Sequence, residues 1–207
     1  MILFRYTKIY GAEYVSHLDV LRHLGRSFTR AGIKVGYSQG YHPHKLIYMS
    51  APIGVGMKSL SEYCVVDTDE KAEDFKKKFN EHSPKGIKCL GAWETPKKVG
   101  VASDIVKAKY RIKGLEKFPE EDITSGESFI ITDREGREKD VKDLIYSVER
   151  DGEDLVCVLG FGNGLRAEKF ASALKERYGG GDIDITKEEA LIEDGTPFEN
   201  ILKNICL

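Results

Sequence analysis

The sequence predicts an α+β chain in two halves. Three observations carry this. Short apolar runs alternate with a period of two, and longer ones recur at helical spacing. Strand-like and helix-like stretches interleave rather than segregate. A proline- and lysine-bearing segment at residues 95–100 interrupts the pattern near the middle.

Residues 2–10 have strand composition, with Ile, Phe, Tyr and Thr among polar neighbours, and Gly11 ends the run. Residues 16–30 form the clearest helix. Ser16 is a good N-cap and Asp19 stands in the capping-box position. Leu21, Leu24, Phe28 and Ala31 make an apolar stripe, and Gly32 suits the C′ position. Arg22, Arg26 and Arg30, spaced by four, line another side of the helix. A connection follows over 33–45, with a short extended piece at 34–37. Residues 45–50 read as a strand, 52–57 as a glycine-bearing turn and 60–67 as the return strand. Residues 70–81 read as a charged helix with Ala72, Phe75 and Phe79 inward, and 86–93 as a fourth strand. The order over 1–94 is β-α-β-β-α-β. That is the ferredoxin-like pattern, an antiparallel sheet with helices on one face and the other face open.

The second half, 101–195, repeats the mixture with less clarity. Strands are expected at 105–112, 128–132 and 154–160, with a last strand region holding Ile183, Ile185 and Leu191. Turns are expected at 133–136 and 161–164, a short helix at 141–148 and an amphipathic helix at 165–178. The tally suits a degenerate second copy of the first pattern, with its first helix shortened or displaced. Residues 196–207 read as a C-terminal tail.

An apolar fraction of 41% over 207 residues can fill a core, so disorder is not the default. No apolar run approaches the ~20 residues of a membrane helix. The first residues lack the pattern of a signal peptide, and a cytoplasmic protein is expected. Cys64, Cys89, Cys157 and Cys206 are scattered without metal or redox spacing, and read as small reduced core residues. Charge is uneven. Residues 1–50 hold seven Lys or Arg against two acids, whereas 151–200 hold five against twelve. A polyanion partner is thus expected at one end only.

Three pieces stand in order: Ser16-His17-Leu18-Asp19 with Arg22, then Tyr37-Ser38-Gln39-Gly40-Tyr41, then Pro43-His44. Pro52-Ile53-Gly54-Val55-Gly56 follows. This succession resembles the N-terminal signature of the uncharacterised radical-SAM-linked domain family of bacteria. The resemblance is specific over 1–67 and follows general layout to about residue 195. His42 stands where the family has Asn, and Lys45 where it has a second Pro, so His44 carries over and His42 does not. The resemblance implies a radical SAM protein as partner and names no reaction. No cysteine triad of the kind that holds a 4Fe–4S cluster is present, so the chain does not run radical chemistry itself.

The expected function is therefore a non-catalytic accessory module that binds RNA beside a radical SAM protein. Arg5, Arg22, Arg26, Arg30 and Lys45, with Lys8 and Lys34 near them, would meet phosphates. Tyr37, Gln39, Tyr41 and His44 would contact bases or the partner. One alternative is a metal-independent endoribonuclease similar to CRISPR repeat-RNA processing nucleases, with His17 or His44 as general acid or base. The other is a protein-interaction subunit alone. No cofactor and no metal are expected. The His42-Pro43-His44 run is too weak for a zinc site by itself, and the 161–164 turn lacks a phosphate-loop pattern.

Overall fold

The computed structural model describes residues 1–96, 99–116, 118–132, 135–162 and 164–205, with side chains as far as Leu202. Lys97, Lys98, Asp133, Arg134, Asn163 and Cys206, which belong to the expected hinge, two turns and a core thiol, lie outside the described residues.

The architecture is mixed α+β, built on one large sheet. The first half supplies β1 (Ile2–Lys8), α1 (His17–Arg30), β2 (Ile47–Met49), β3 (Lys58–Val66), α2 (Ala72–His82) and β4 (Cys89–Glu94). Its strands lie in the order β4-β1-β3-β2, each antiparallel to its neighbour. The second half supplies β5 (Lys107–Leu115), α3 (Glu120–Ser125), β6 (Ile130–Thr132), β7 (Glu138–Asp140), β8 (Ile145–Asp151), β9 (Asp154–Gly160), α4 (Ala167–Tyr178) and β10 (Gly180–Leu191). Four of its strands repeat the same positional order, β10-β5-β9-β8, again antiparallel. Where the first half has α1, the second has short α3 and the separate β6-β7 hairpin.

A narrow parallel seam joins the halves: Thr186 opposite Lys58, and Lys187 opposite Ser59. β2 and β10 share one edge of β3, at its two ends. A buried ion pair sits on the seam. Lys187 Nζ donates to Glu62 Oε1 at 3.0 Å, and the Ser59 hydroxyl donates to the same oxygen at 2.8 Å.

Period-two alternation sorts β1. Ile2, Phe4 and Tyr6 face α1 and α2, while Leu3 faces the other way. Phe4 meets Phe28, Phe75 and Phe79 at centroid distances of 6.1, 5.1 and 5.4 Å. α1 starts where its chemistry says it should, with Ser16 Oγ accepting from the Asp19 N–H at 3.2 Å. Its buried residues are Val20, Leu24, Ser27 and Phe28, so the stripe is rotated from the one expected, and Leu21 and Ala31 are only half-buried. That rotation brings Phe28 onto Phe4 and the α2 phenylalanines.

Three expectations need correction. The far face of the first half's sheet is not open. Leu3, Tyr63 and Val65 are buried there under Val99, Val101, Ile105 and α5 (Phe198–Ile205). The expected tail therefore contains a packed helix, with Phe198 and Leu202 fully buried. Residues 141–148 are not a helix. A single 3-10 turn at Lys142–Leu144 leads into β8, because Val148 and its neighbours pair with β9. Val141, Ile145 and Val148 have helical spacing, but pairing with β9, with a register shift between Ile145 and Ser147, decides for a strand.

Candidate nucleic-acid interface

α1 and the chain after it build the basic face. Residues 37–45 form a narrow hairpin-like loop. Tyr37 bridges Lys45, and the Ser38 N–H donates to the His44 carbonyl at 2.8 Å. The Ser38 hydroxyl closes the neck further. It accepts from the His44 N–H at 3.0 Å and pairs with His44 Nδ1 at 2.8 Å. Gly40 turns the tip at φ 130°, a conformation L side chains rarely adopt. At the base, a Cβ on Gly36 would stand 2.2 Å from the Asp67 carboxylate, which would have to shift to admit one. The tip is presented outward: Tyr41 is 94% exposed and its ring meets His42 edge-on at 4.7 Å. Tyr37, Gln39 and His44 are exposed as well.

Lys45 ties this loop to the arginine helix. Its backbone closes the hairpin, and its Nζ donates to Gly25 O and Thr29 Oγ1, both at 2.6 Å. Partial burial lowers the Lys45 ammonium pKa from its usual value. Arg22, Gly25, Arg26, Thr29, Arg30 and Lys45 line one shallow depression of about 420 Å³.

The three arginines differ. Arg22 pairs with Asp19 at 2.7 Å on the surface, where solvent and salt screen such pairs strongly. The Ser16 hydroxyl and then Arg22 hold the Asp19 carboxyl below the usual range. Arg30 braces α1 against the end of α2, donating to the His82 carbonyl at 3.0 and 3.3 Å. Arg26 is exposed and has no hydrogen-bond or ion-pair partner among the described residues. A phosphate would therefore meet Arg26 unencumbered and Arg22 after displacing one exposed carboxylate.

The structure gathers Arg22, Arg26, Arg30 and Lys45 on one depression, with Tyr37, Gln39, Tyr41 and His44 on the loop anchored beside it. It does not bring Arg5 there. Arg5 lies on the opposite face of the sheet, where it pairs with Glu199 and reaches the carbonyls of Leu60 and Glu188. Lys8 is also withdrawn, at 3% exposure, so the basic surface is smaller than the charge count suggests. His17 is half-buried and lines a separate crevice with Tyr6, Lys8 and Glu62. Thus His17 and His44 do not line one pocket. Sequence reasoning missed that crevice, because its residues come from β1, α1, β2, β3 and the loop after β2.

Among the described residues, no three His, Cys, Asp or Glu side chains gather as a metal requires. Among the same residues, no helix is long and apolar enough to cross a membrane.

The family model described as "Uncharacterized protein conserved in bacteria (DUF2344)" matches residues 1–174, and the chain belongs to that family. No curated protein matches it.

Proposed function

We propose that this member of an uncharacterised bacterial family is a non-catalytic RNA-binding module that acts beside a radical SAM protein. The observation that carries the RNA reading is the exposed Arg26, unpartnered among the described residues, between Arg22 and Arg30 and facing the same depression as Lys45. Phosphates would lie along α1. Tyr41 and Tyr37, on the loop that Lys45 anchors, would stack against unpaired bases. The radical SAM partner rests on the sequence resemblance alone. We read each half as ferredoxin-like, a reading that the strand orders β4-β1-β3-β2 and β10-β5-β9-β8 support.

The test is filter binding of single-stranded RNA across a salt series, in the presence of chelator, with wild type and Arg22→Glu/Arg26→Glu. Each phosphate contact contributes about 0.7 to the slope of log affinity against log salt. The double variant is expected to bind at least about tenfold more weakly and to lose roughly one to two contacts' worth of slope. Unchanged binding sinks the reading. RNA cleavage that His17→Ala/His44→Ala abolishes would replace it with the endoribonuclease alternative. Co-purification with the radical SAM protein without RNA affinity at any salt would replace it with a protein-interaction subunit.

A further inference from the structure

Lys8 ends β1 in an unusual position for a lysine. It is 3% exposed, and its ammonium makes no hydrogen bond or ion pair among the described residues. Among the described residues the fully buried polar atoms without a hydrogen bond are the Tyr63 hydroxyl and Glu189 Oε1, so the Lys8 ammonium still reaches solvent, through the crevice it lines. Its side chain lines a crevice of about 10 Å³, room for roughly one oxygen atom. Tyr6, His17 and Glu62 line the same crevice, and Met49, Pro52 and Ile53 supply its apolar part. Neither the Tyr6 hydroxyl nor the His17 ring makes a hydrogen bond among the described residues.

The charges around Lys8 can be followed one by one. Glu62 faces it across β3, but one Glu62 oxygen already takes Lys187 Nζ at 3.0 Å and the Ser59 hydroxyl at 2.8 Å. Glu13, the other nearby acid, accepts from the Gly11 N–H at 2.7 Å and does not line the crevice. Lys58 is paired with Asp184. Lys187 thus takes the hydrogen bond of Glu62, and Lys8 keeps only the through-space attraction of Glu62 and Glu13, without a hydrogen-bonded partner among the described residues. Burial lowers its pKa, and Glu62 and Glu13 only partly offset that. Burial also keeps the Tyr6 phenol protonated far above its usual range, so it is a donor at neutral pH.

We propose that this corner between β1 and α1 is an oxyanion site. Lys8, with the Tyr6 hydroxyl and the His17 imidazole, takes one terminal oxygen of a phosphate or carboxylate whose remainder lies over Met49 and Ile53. The site is independent of the RNA reading. Arg22 and Arg26 point away from the face of α1 that carries Val20 and Leu24 onto the sheet.

Isothermal titration of the whole chain with inorganic phosphate, and separately with acetate, tests the proposal at fixed ionic strength. It is run on wild type, Arg22→Glu/Arg26→Glu, Lys8→Met and His17→Phe. The expected result is one site that survives the double arginine substitution. Lys8→Met should weaken it about tenfold or more, the loss of one charge-assisted hydrogen bond. His17→Phe, which leaves Lys8 in place, should weaken it to a lesser degree and stands in if Lys8→Met does not fold. The anion that binds more tightly identifies the ligand class. Three results overturn the proposal: neither anion binds at millimolar concentration, binding vanishes with the arginines, or both Lys8→Met and His17→Phe bind as wild type. Failure here leaves the RNA reading untouched, because that reading is tested with RNA at α1.

Discussion

The same three residue types, tyrosine, histidine and lysine, meet in two places with opposite outcomes. In the exposed loop, Tyr41 stands in solvent, His44 is bonded to Ser38, and Lys45 is tied to Gly25 and Thr29. At the β1–α1 corner, Tyr6 and Lys8 are buried, and neither they nor His17 has a hydrogen bond among the described residues. The half-buried lysine of the loop is hydrogen-bonded and the lysine of the corner is not. Groups on a loop tip are served by water and cost the fold little. Groups that open only onto a narrow crevice, with no protein partner, are poorly served by water and gain more from a ligand that answers them. Unmet demand, rather than exposure, distinguishes the corner.

The largest expected effect tests how far the corner depends on its neighbours. Lys187→Met leaves Glu62 buried beside a lost partner and should destabilise by about 3 kcal/mol or more. Lys45→Met, on the exposed loop, should cost less than about 1 kcal/mol. Denaturant midpoints of the two variants measure the contrast, and equal losses would erase it. Next is Tyr41→Ala. Its effect on folding should stay within about 0.5 kcal/mol, while RNA affinity should fall by about 1–3 kcal/mol if the ring stacks on a base.

A smaller effect concerns Lys8 and pH. Its folded-state pKa is lowered from 10.5, so the unfolded chain holds the proton more tightly. Wild-type stability should therefore rise as pH climbs from the lowered folded value towards 10.5, and level off above it. At neutral pH, Lys8→Met should stabilise by about 1 kcal/mol, since it removes a charge whose burial Glu62 and Glu13 only partly offset. The gap between variant and wild type should shrink over the same alkaline window. A gap that ignores pH would mean that Lys8 is answered within the fold. The smallest effect is a null. Burial pushes the Cys89 thiol up to about 12 and raises Cys64 and Cys157 as well. In a Cys206→Ser background, alkylation at pH 8 should leave the native chain unlabelled and modify three thiols once it is unfolded.

Much of the first half was legible because its signals are local. Ser16 and Asp19 announce the start of α1, and Phe75 and Phe79 mark the buried side of α2. What was hidden depends on distant chain. Arg5 looks like one more basic residue until α5 brings Glu199 to it. Lys8 counts towards a surface charge until β3 and α1 close over it. The α5 signal was present in the spacing of Phe198, Ile201 and Leu202, but its short length invited the reading of a tail. In the candidate interface, the arginine row followed from helical spacing. The tether from Lys45 to Gly25 and Thr29 did not, because a long side chain crossing between elements leaves no periodicity to read.

The covering of Leu3, Tyr63 and Val65 by Phe198 and Leu202 also sets an order in time. A ribosome completes the four strands of the first half when residue 94 emerges, yet the helix that seals their far side is more than a hundred residues away. Val99, Val101 and Ile105 can cover part of that face early, but at ordinary elongation speeds the part under α5 stays bare for roughly 5–20 s. During that interval the nascent chain shows an apolar sheet surface that the finished protein never displays. A chaperone or a neighbouring nascent chain would meet it first.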